Sequence, residues 1–226
     1  MELIIVSIGA LSKNPLWNER VPVRSSHATT TLLRSGNTNI LVDPSLPGEI
    51  LEARLQERAG IGADQITHLF LTNWRPVHRR GIERFGKAQW LMHETELEAA
   101  REVLDRAEEQ AAHQSAPEHE ALIRKERALL ERMAAAPDEL AAGVQLYPLA
   151  GYTPGQCGLI VTTPTLTTII AGDAVPTAAH FAAGQVFPDC WDLEKAKESM
   201  TELYEVADLV VPGHDNLFVA PRSAGM

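Results

Sequence analysis

The stretch that decides the fold is residues 66–78, which read ITHLFLTNWRPVH. Its first half, Ile66 to Leu71, is a short apolar run of the kind that forms a buried strand. Three polar residues, Asn73, Arg75 and His78, follow at once. In open α/β sheets, ligands bind in the loops that leave the carboxyl ends of strands. The segment therefore predicts a strand that carries polar side chains into a candidate site.

Other loops repeat this arrangement of polar side chains beside apolar runs. They contribute Asp43, Gln156, Asp173 and His214. Because loops at one edge of a sheet lie close together, we expect these residues to meet Asn73 and its neighbours in one cleft.

Strand patterns fall in two groups, with helical patterns between and after them. Short apolar runs predict strands at Leu3–Ile8, Thr29–Leu33, Asn39–Val42, Gln89–Met92, Val144–Leu149, Leu159–Thr163, Leu166–Ala171 and Leu209–Val211. Helical patterns cover Ile50–Leu55, Gly81–Phe85 and Glu194–Val206. This order predicts an α/β fold with two sheets flanked by helices. With no internal repeat and no low-complexity linker, residues 1–226 are expected to form a single domain.

A helical hairpin is predicted around residues 94–140, between the two groups of strands. This stretch is rich in Ala, Glu, Leu and Arg, which favour helices. Ser115-Ala116-Pro117 divides it, and proline suits the first turn of the second helix. We interpret the hairpin as an insert that forms a solvated face, a dimer surface or a lid.

Composition excludes several classes of protein. The formal net charge of −10 argues against binding to nucleic acid, which requires a basic surface. Two cysteines do not make a disulfide framework, so a reduced, cytoplasmic setting is expected. The first residues, MELIIV, predict a buried strand and not a signal peptide. No apolar run approaches the roughly 20 residues that cross a bilayer, so no membrane partner is expected.

Five segments together resemble metallo-β-lactamase-fold hydrolases, in the order in which that family carries them. Residues 66–78 resemble the segment that bears the family's His-x-His-x-Asp-His motif. The other four are Leu41-Val42-Asp43-Pro44, Gly151-Tyr152-Thr153-Pro154-Gly155-Gln156, Gly172-Asp173-Ala174 and Val211-Pro212-Gly213-His214. The resemblance implies a four-layer αβ/βα sandwich whose cleft holds two metal ions.

The residues at the implied metal positions depart from the family's pattern. The resemblance places Asn73, Arg75 and Gln156 where the first metal has three histidines. Neutral amides are poor zinc ligands, and a guanidinium stays cationic. At the second metal, Val77 replaces the carboxylate, while His78 and His214 remain. The bridging carboxylate remains as Asp173. A degenerate site without the dinuclear zinc centre is therefore expected.

Arg75 suggests a substitute for the missing metal. A carboxylate that is buried without a partner is unfavourable, so Asp173 needs a positive neighbour. We hypothesise that the guanidinium of Arg75 takes the vacated position and pairs with Asp173.

Two functions remain open. The first is a catalytically diverged or inactive protein, a pseudoenzyme that keeps the cleft for a small molecule or protein and holds no cofactor. The second is a mononuclear hydrolase with one Zn, Mn or Fe ion at His78, Asp173 and His214. The resemblance would then imply an ester, thioester or lactone substrate. Two other histidines, His27 and His180, are candidates to reach the cleft. The sequence assigns no catalytic residue. It also leaves open whether the protein forms a homo-oligomer.

Overall fold

The first of two mixed β-sheets is built from the N-terminal part of the chain. The computed structural model describes residues 1–114 and 117–221. Within these, the first sheet has six strands in sequential order: β1 (Glu2–Ser7), β2 (Thr30–Ser35), β3 (Thr38–Val42), β4 (His68–Leu71), β5 (Gln89–Met92) and β6 (Met133–Ala135). Strands β1 to β3 pair antiparallel, and β3 to β6 pair parallel. The parallel half delivers the carboxyl ends of β3 and β4 to the same edge.

The second sheet comes from the C-terminal part and contributes a matching edge. Its strands are β7 (Glu139–Ala141), β8 (Val144–Pro148), β9 (Cys157–Thr162), β10 (Thr167–Gly172), β11 (Leu209–Pro212) and β12 (Phe218–Val219). They lie side by side in the order β12-β11-β10-β9-β8-β7. Only β10 and β11 among these pair parallel, so their carboxyl ends lie side by side.

Helices cover the outer faces of both sheets. They are α1 (Gly48–Ala59), α2 (Glu94–Gln114), α3 (Pro117–Leu130), α4 (Ala178–Ala183) and α5 (Leu193–Val206). No helix in the described residues is long and apolar enough to cross a bilayer.

Side chains along each strand point alternately to the two faces of its sheet, and the apolar ones form three packed clusters. Phe70 faces the second sheet, in a cluster with Leu159 and Val211. Its neighbours Leu69 and Leu71 point the other way, into a cluster under the helices of the first sheet. A third cluster lies between the second sheet and α5. Successive side chains of a strand point to opposite faces, so buried runs fill both. The expected four-layer αβ/βα sandwich is confirmed.

The helical hairpin is confirmed, but it is shorter than expected. Helix α3 ends at Leu130, and Met133–Ala135 forms the edge strand β6 on β5. The unpaired edge of β5 offers backbone hydrogen bonds that outweigh the helical propensity of these residues. The predicted break at Ser115-Ala116 lies outside the described residues. The sequence interpretation also missed α4 and the short strands β7 and β12.

Glu96 ties the hairpin to the loops of the site. It lies in the first turn of α2 and is 3% exposed. Its carboxylate accepts hydrogen bonds from the backbone N–H of Trp74 (2.9 Å), the hydroxyl of Thr153 (2.7 Å) and the backbone N–H of Gly155 (3.1 Å). A Cβ at Gly155 would lie 2.0 Å from the backbone nitrogen of Glu96, so this close approach requires glycine. One carboxylate therefore positions two loops.

Replacing Glu96 by alanine should destabilise the protein by about 2–4 kcal/mol, because three donors lose their acceptor and two of these hydrogen bonds are buried. Chemical denaturation measures the difference. The matched control is Glu98→Ala, at an exposed position of the same helix, which should change stability by less than about 0.5 kcal/mol. Equal losses in the two variants would mean that Glu96 does not fix these loops.

Candidate functional site

The structure gathers most of the predicted site residues into one buried cluster. Asn73, His78, Gln156, Asp173 and His214 are each at most 5% exposed. They come from the loops after β4, β10 and β11 and from the turn before β9.

His78 lies between two carboxylates. Its Nε2 is 2.8 Å from Oδ2 of Asp173, and its Nδ1 is 3.0 Å from Oδ2 of Asp43. Burial alone would lower the pKa of His78, but Asp173 and Asp43 outweigh it and raise the pKa to about 10. Both ring nitrogens therefore carry protons, and the imidazolium supplies a buried positive charge.

Asp173 is held as a carboxylate from two sides. Burial opposes ionisation, but the charges of His78 and His214, together with the hydrogen bond from His78, hold the pKa of Asp173 far below the ordinary range. Its Oδ2 faces His78. Its Oδ1 lies 3.0 Å from Nε2 of His214 without the alignment of a hydrogen bond, and it has no hydrogen-bond partner among the described residues.

The tautomer of His214 is fixed by the backbone. Its Nδ1 lies 2.9 Å from the carbonyl oxygen of His27, which can only accept, so Nδ1 carries a proton. The other nitrogen, Nε2, faces Oδ1 of Asp173. The two atoms lie at the distance of neighbouring ligand atoms.

The side-chain amides of Gln156 and Asn73 form a hydrogen-bonded chain that ends at Asp173, and backbone contacts fix the orientation of each amide. Gln156 Nε2 donates to the carbonyl oxygen of Ala171 (3.0 Å), so its Oε1 faces Asn73. Asn73 Nδ2 donates to that Oε1 (2.9 Å) and to Oδ2 of Asp173 (3.2 Å). Asn73 Oδ1 accepts the backbone N–H of Arg75 (2.9 Å). Since backbone groups fix both ends, Asn73 presents N–H donors to Asp173, not oxygen.

Asp43 forms two hydrogen bonds with the first residue of the loop that follows β4. Its Oδ1 accepts the backbone N–H of Thr72 (2.9 Å), and its Oδ2 accepts the hydroxyl of Thr72 (2.8 Å). Its backbone has a φ of 50°, in the left-handed region that few residues other than glycine and asparagine or aspartate adopt. Such a conformation persists where surrounding contacts fix it, and the two bonds to Thr72 do so.

Arg75 does not pair with Asp173, so that hypothesis is wrong. Its side chain is exposed, and its guanidinium lies over the ring of Tyr152, 4.9 Å from the centroid. The imidazolium of His78 already supplies the positive charge beside Asp173. The guanidinium can then remain hydrated and gain a cation–π contact. Val77 is half-buried and makes no polar contact with the cluster.

Two histidines that were candidates for the cleft take different positions. The ring of His27 is bonded to the carbonyl of Ile8 (2.9 Å), so only its backbone oxygen touches the site. His180 is buried, and its Nδ1 is held by the hydroxyl of Thr177 (2.8 Å). The rings of His180, Tyr152 and His214 each contact Phe187, which therefore lies at the mouth of the cluster.

Sequence reasoning missed Thr72, Glu96 and Phe187. Thr72 could have been found, because it directly precedes Asn73 in the segment that decides the fold. Glu96 lay in a pattern of alternating charges typical of a solvated helix face. The position of Phe187 depends on the course of its loop, and no pattern in the sequence indicates that course.

Three residues of the cluster form a set that could hold one metal ion. One ligand atom each from His78, Asp173 and His214 lies within 4.8 Å of the others, and all three residues are buried. A two-histidine, one-carboxylate set suits Zn²⁺, Mn²⁺ or Fe²⁺. The neighbouring position that the resemblance gives to a second ion is lined by the N–H donors of Asn73 and by Gln156, whose oxygen already accepts a hydrogen bond.

Comparisons with known proteins agree on the fold. The family model described as the metallo-beta-lactamase superfamily matches residues 25–214. AidC, a dizinc quorum-quenching lactonase, is 18% identical over 88% of this chain and 77% of its own, with a TM-score of 0.67. An AiiA variant from B. thuringiensis, with N-decanoyl-L-homoserine at its active site, is 19% identical over 94% and 92% of the two chains, with a TM-score of 0.63.

A third solved structure, hydrolase AbOPH of the beta lactamase superfamily, is 16% identical over 86% of this chain and 79% of its own, with a TM-score of 0.64. The search of curated proteins found no significant match. At these identities, the solved structures show a shared fold and nothing finer.

Protein treated with a chelator should lose stability as the pH rises from 7 to 9. Because the pKa of His78 is raised from 6.5 to about 10 on folding, its contribution is complete below pH 6.5 and declines up to pH 10. The slope is at most about 1.4 kcal/mol per pH unit for one proton. Denaturation series at several pH values measure it.

The matched control is His119→Gln, at an exposed histidine of α3, which should keep the same alkaline decline. A flat profile between pH 7 and 9 in the wild type would contradict a protonated His78.

Proposed function

This chain belongs to the metallo-beta-lactamase superfamily, and we propose that it works without the pair of metal ions expected of that fold. In this proposal, the former metal site is a closed ion-paired cluster with a structural role. The protein is then a ligand-binding or catalytically diverged member of the family.

The single observation that carries the proposal is the orientation of Asn73. Its amide group directs one N–H to Gln156 and the other to Asp173. A metal ion at this position would need lone pairs where the protein presents protons. Turning the amide over would break its bond to Gln156 and leave the backbone N–H of Arg75 without its acceptor. Such unsatisfied groups cost about 1–3 kcal/mol each.

Electrostatic balance supports the same conclusion. The cluster contains two buried carboxylates, Asp43 and Asp173, and His78 touches both. A protonated ring between two carboxylates supplies part of the charge that a metal ion would supply. In an ion-paired cluster of this kind, removing one member leaves an unpaired buried charge, which destabilises the fold.

A second candidate is a mononuclear hydrolase, and one observation favours it. Oδ1 of Asp173 lacks a hydrogen bond among the described residues and faces Nε2 of His214, which is the geometry of two ligand atoms. A bound ion would supply Lewis acidity and lower the pKa of a bound water. His27 and Asp43 would fix the ring orientations through Nδ1 of His214 and of His78. Esters, thioesters and lactones are the candidate substrates.

Metal analysis of the purified protein, after incubation with zinc, manganese or iron(II) and desalting, separates the two candidates. We expect well under one equivalent of any metal. The matched control restores the ligands with Asn73→His, Arg75→His, Val77→Asp and Gln156→His, and should gain metal up to about two equivalents. One equivalent in the wild type that His78→Ala and His214→Ala both abolish would instead establish a single metal site and favour the mononuclear hydrolase over the metal-free protein. Two equivalents in the wild type would overturn both candidates.

A further inference from the structure

A large cavity lies beside the cluster and is not part of it. Its volume is about 690 Å³, within the range of pockets for small molecules. Helix α2 of the hairpin, the loop after β4 and residues 189–191 surround it. Tyr152 belongs to its wall. The ring of Tyr152 contacts Phe187, whose ring contacts His214, so the cavity lies next to the cluster.

The cavity is walled largely by aromatic and aliphatic groups. Trp74, Tyr152 and Trp191 contribute rings, and Val103 contributes an aliphatic surface from α2. Trp191 is 59% exposed and Val103 is 55% exposed. Large apolar side chains left open to solvent within a concave site are typical of surfaces that a ligand covers.

Arg75 supplies a positive charge that has no ion-pair partner in the part of the chain that the structure describes. It forms no ion pair with any described residue, and its guanidinium rests on Tyr152. By contrast, Arg79 is paired with Glu126 and stacked on Trp74. A guanidinium that lies on an aromatic ring keeps its N–H groups available along its edge.

The remaining charges of the cavity limit what it accepts. The carboxylate of Glu96 is consumed by three hydrogen bonds. Glu102 and Asp189 are exposed, so solvent screens them, as it does Arg106. With the net charge of −10, a polyanion is disfavoured and a single negative charge is the better fit.

We propose that this cavity binds a planar aromatic carboxylate, whose carboxylate pairs with the guanidinium of Arg75 while its ring lies against Trp74 and Trp191. Carboxylates match the two parallel N–H groups of a guanidinium, and flat rings gain stacking energy on indoles. The inference deepens the proposed function by naming the class of ligand, but the binding it describes requires no metal.

The test is isothermal titration of metal-free protein with 2-naphthoate and with its neutral analogue 2-naphthalenemethanol. We expect naphthoate to bind at least about 10-fold more tightly, because one charge-assisted pair is lost in the alcohol. In nuclear magnetic resonance spectra, the indole N–H signals of Trp74 and Trp191 should move, while that of the buried Trp90 should not.

Substitutions then test whether Arg75 supplies the positive charge that binds the carboxylate. Arg75→Gln should weaken naphthoate binding about 10-fold and leave the alcohol unchanged. The matched control is Arg106→Gln, at another arginine of the wall, which should change affinity less than about 3-fold.

Three outcomes overturn the inference: equal affinity for acid and alcohol, an Arg75→Gln variant that binds naphthoate normally, or no binding of either probe. Circular dichroism confirms that each variant is folded. The proposed function fails on metal content alone, so the two failures are distinguishable.

Discussion

A carboxylate buried at the end of β10 must be neutralised, and the arrangement of the site follows from that requirement. Asp173 is 2% exposed and has His78 on one oxygen and His214 on the other. An isolated ion at such a position would be prohibitively unfavourable. The ring of His78 needs a second acceptor on its far side, which Asp43 provides from β3. The ring of His78 therefore joins Asp173 to Asp43.

The backbone is packed so closely around Asp173 that the cluster can change little. A Cβ at Gly213 would lie 2.5 Å from Oδ1 of Asp173, and one at Gly172 would lie 2.5 Å from the hydroxyl of Thr72. Gly172 also has a φ of 54°, which glycine adopts without strain. The oxygen that lacks a hydrogen bond is thus covered by main chain, which excludes other side chains from it.

The sequence predicted the framework of the fold better than the contacts of the site. Buried strands such as Gln89–Met92 show as apolar runs, whereas the edge strand Met133–Ala135 depends on a partner that the local sequence does not indicate. The order of the motifs along the chain predicted that Asp173 and His214 would lie close together. The direction of the Arg75 side chain could not be predicted in this way, because the rotamer of a loop residue depends on the side chains around it. The bridge from Asp43 to His78 joins distant segments and has no signature in spacing.

Asn73 joins the closed cluster to the open cavity. Its amide donors hold Asp173 and Gln156, while its oxygen accepts the backbone N–H of Arg75. That bond directs the chain into the short turn Pro76–His78, which brings the imidazolium of His78 into the cluster. With the positive charge already inside, the guanidinium of Arg75 has no counterion to reach and lies instead on Tyr152. The side chain of Asn73 therefore has two roles: its N–H groups bind Asp173 and Gln156 inside the cluster, and its oxygen fixes the backbone at Arg75, the cationic residue of the neighbouring cavity.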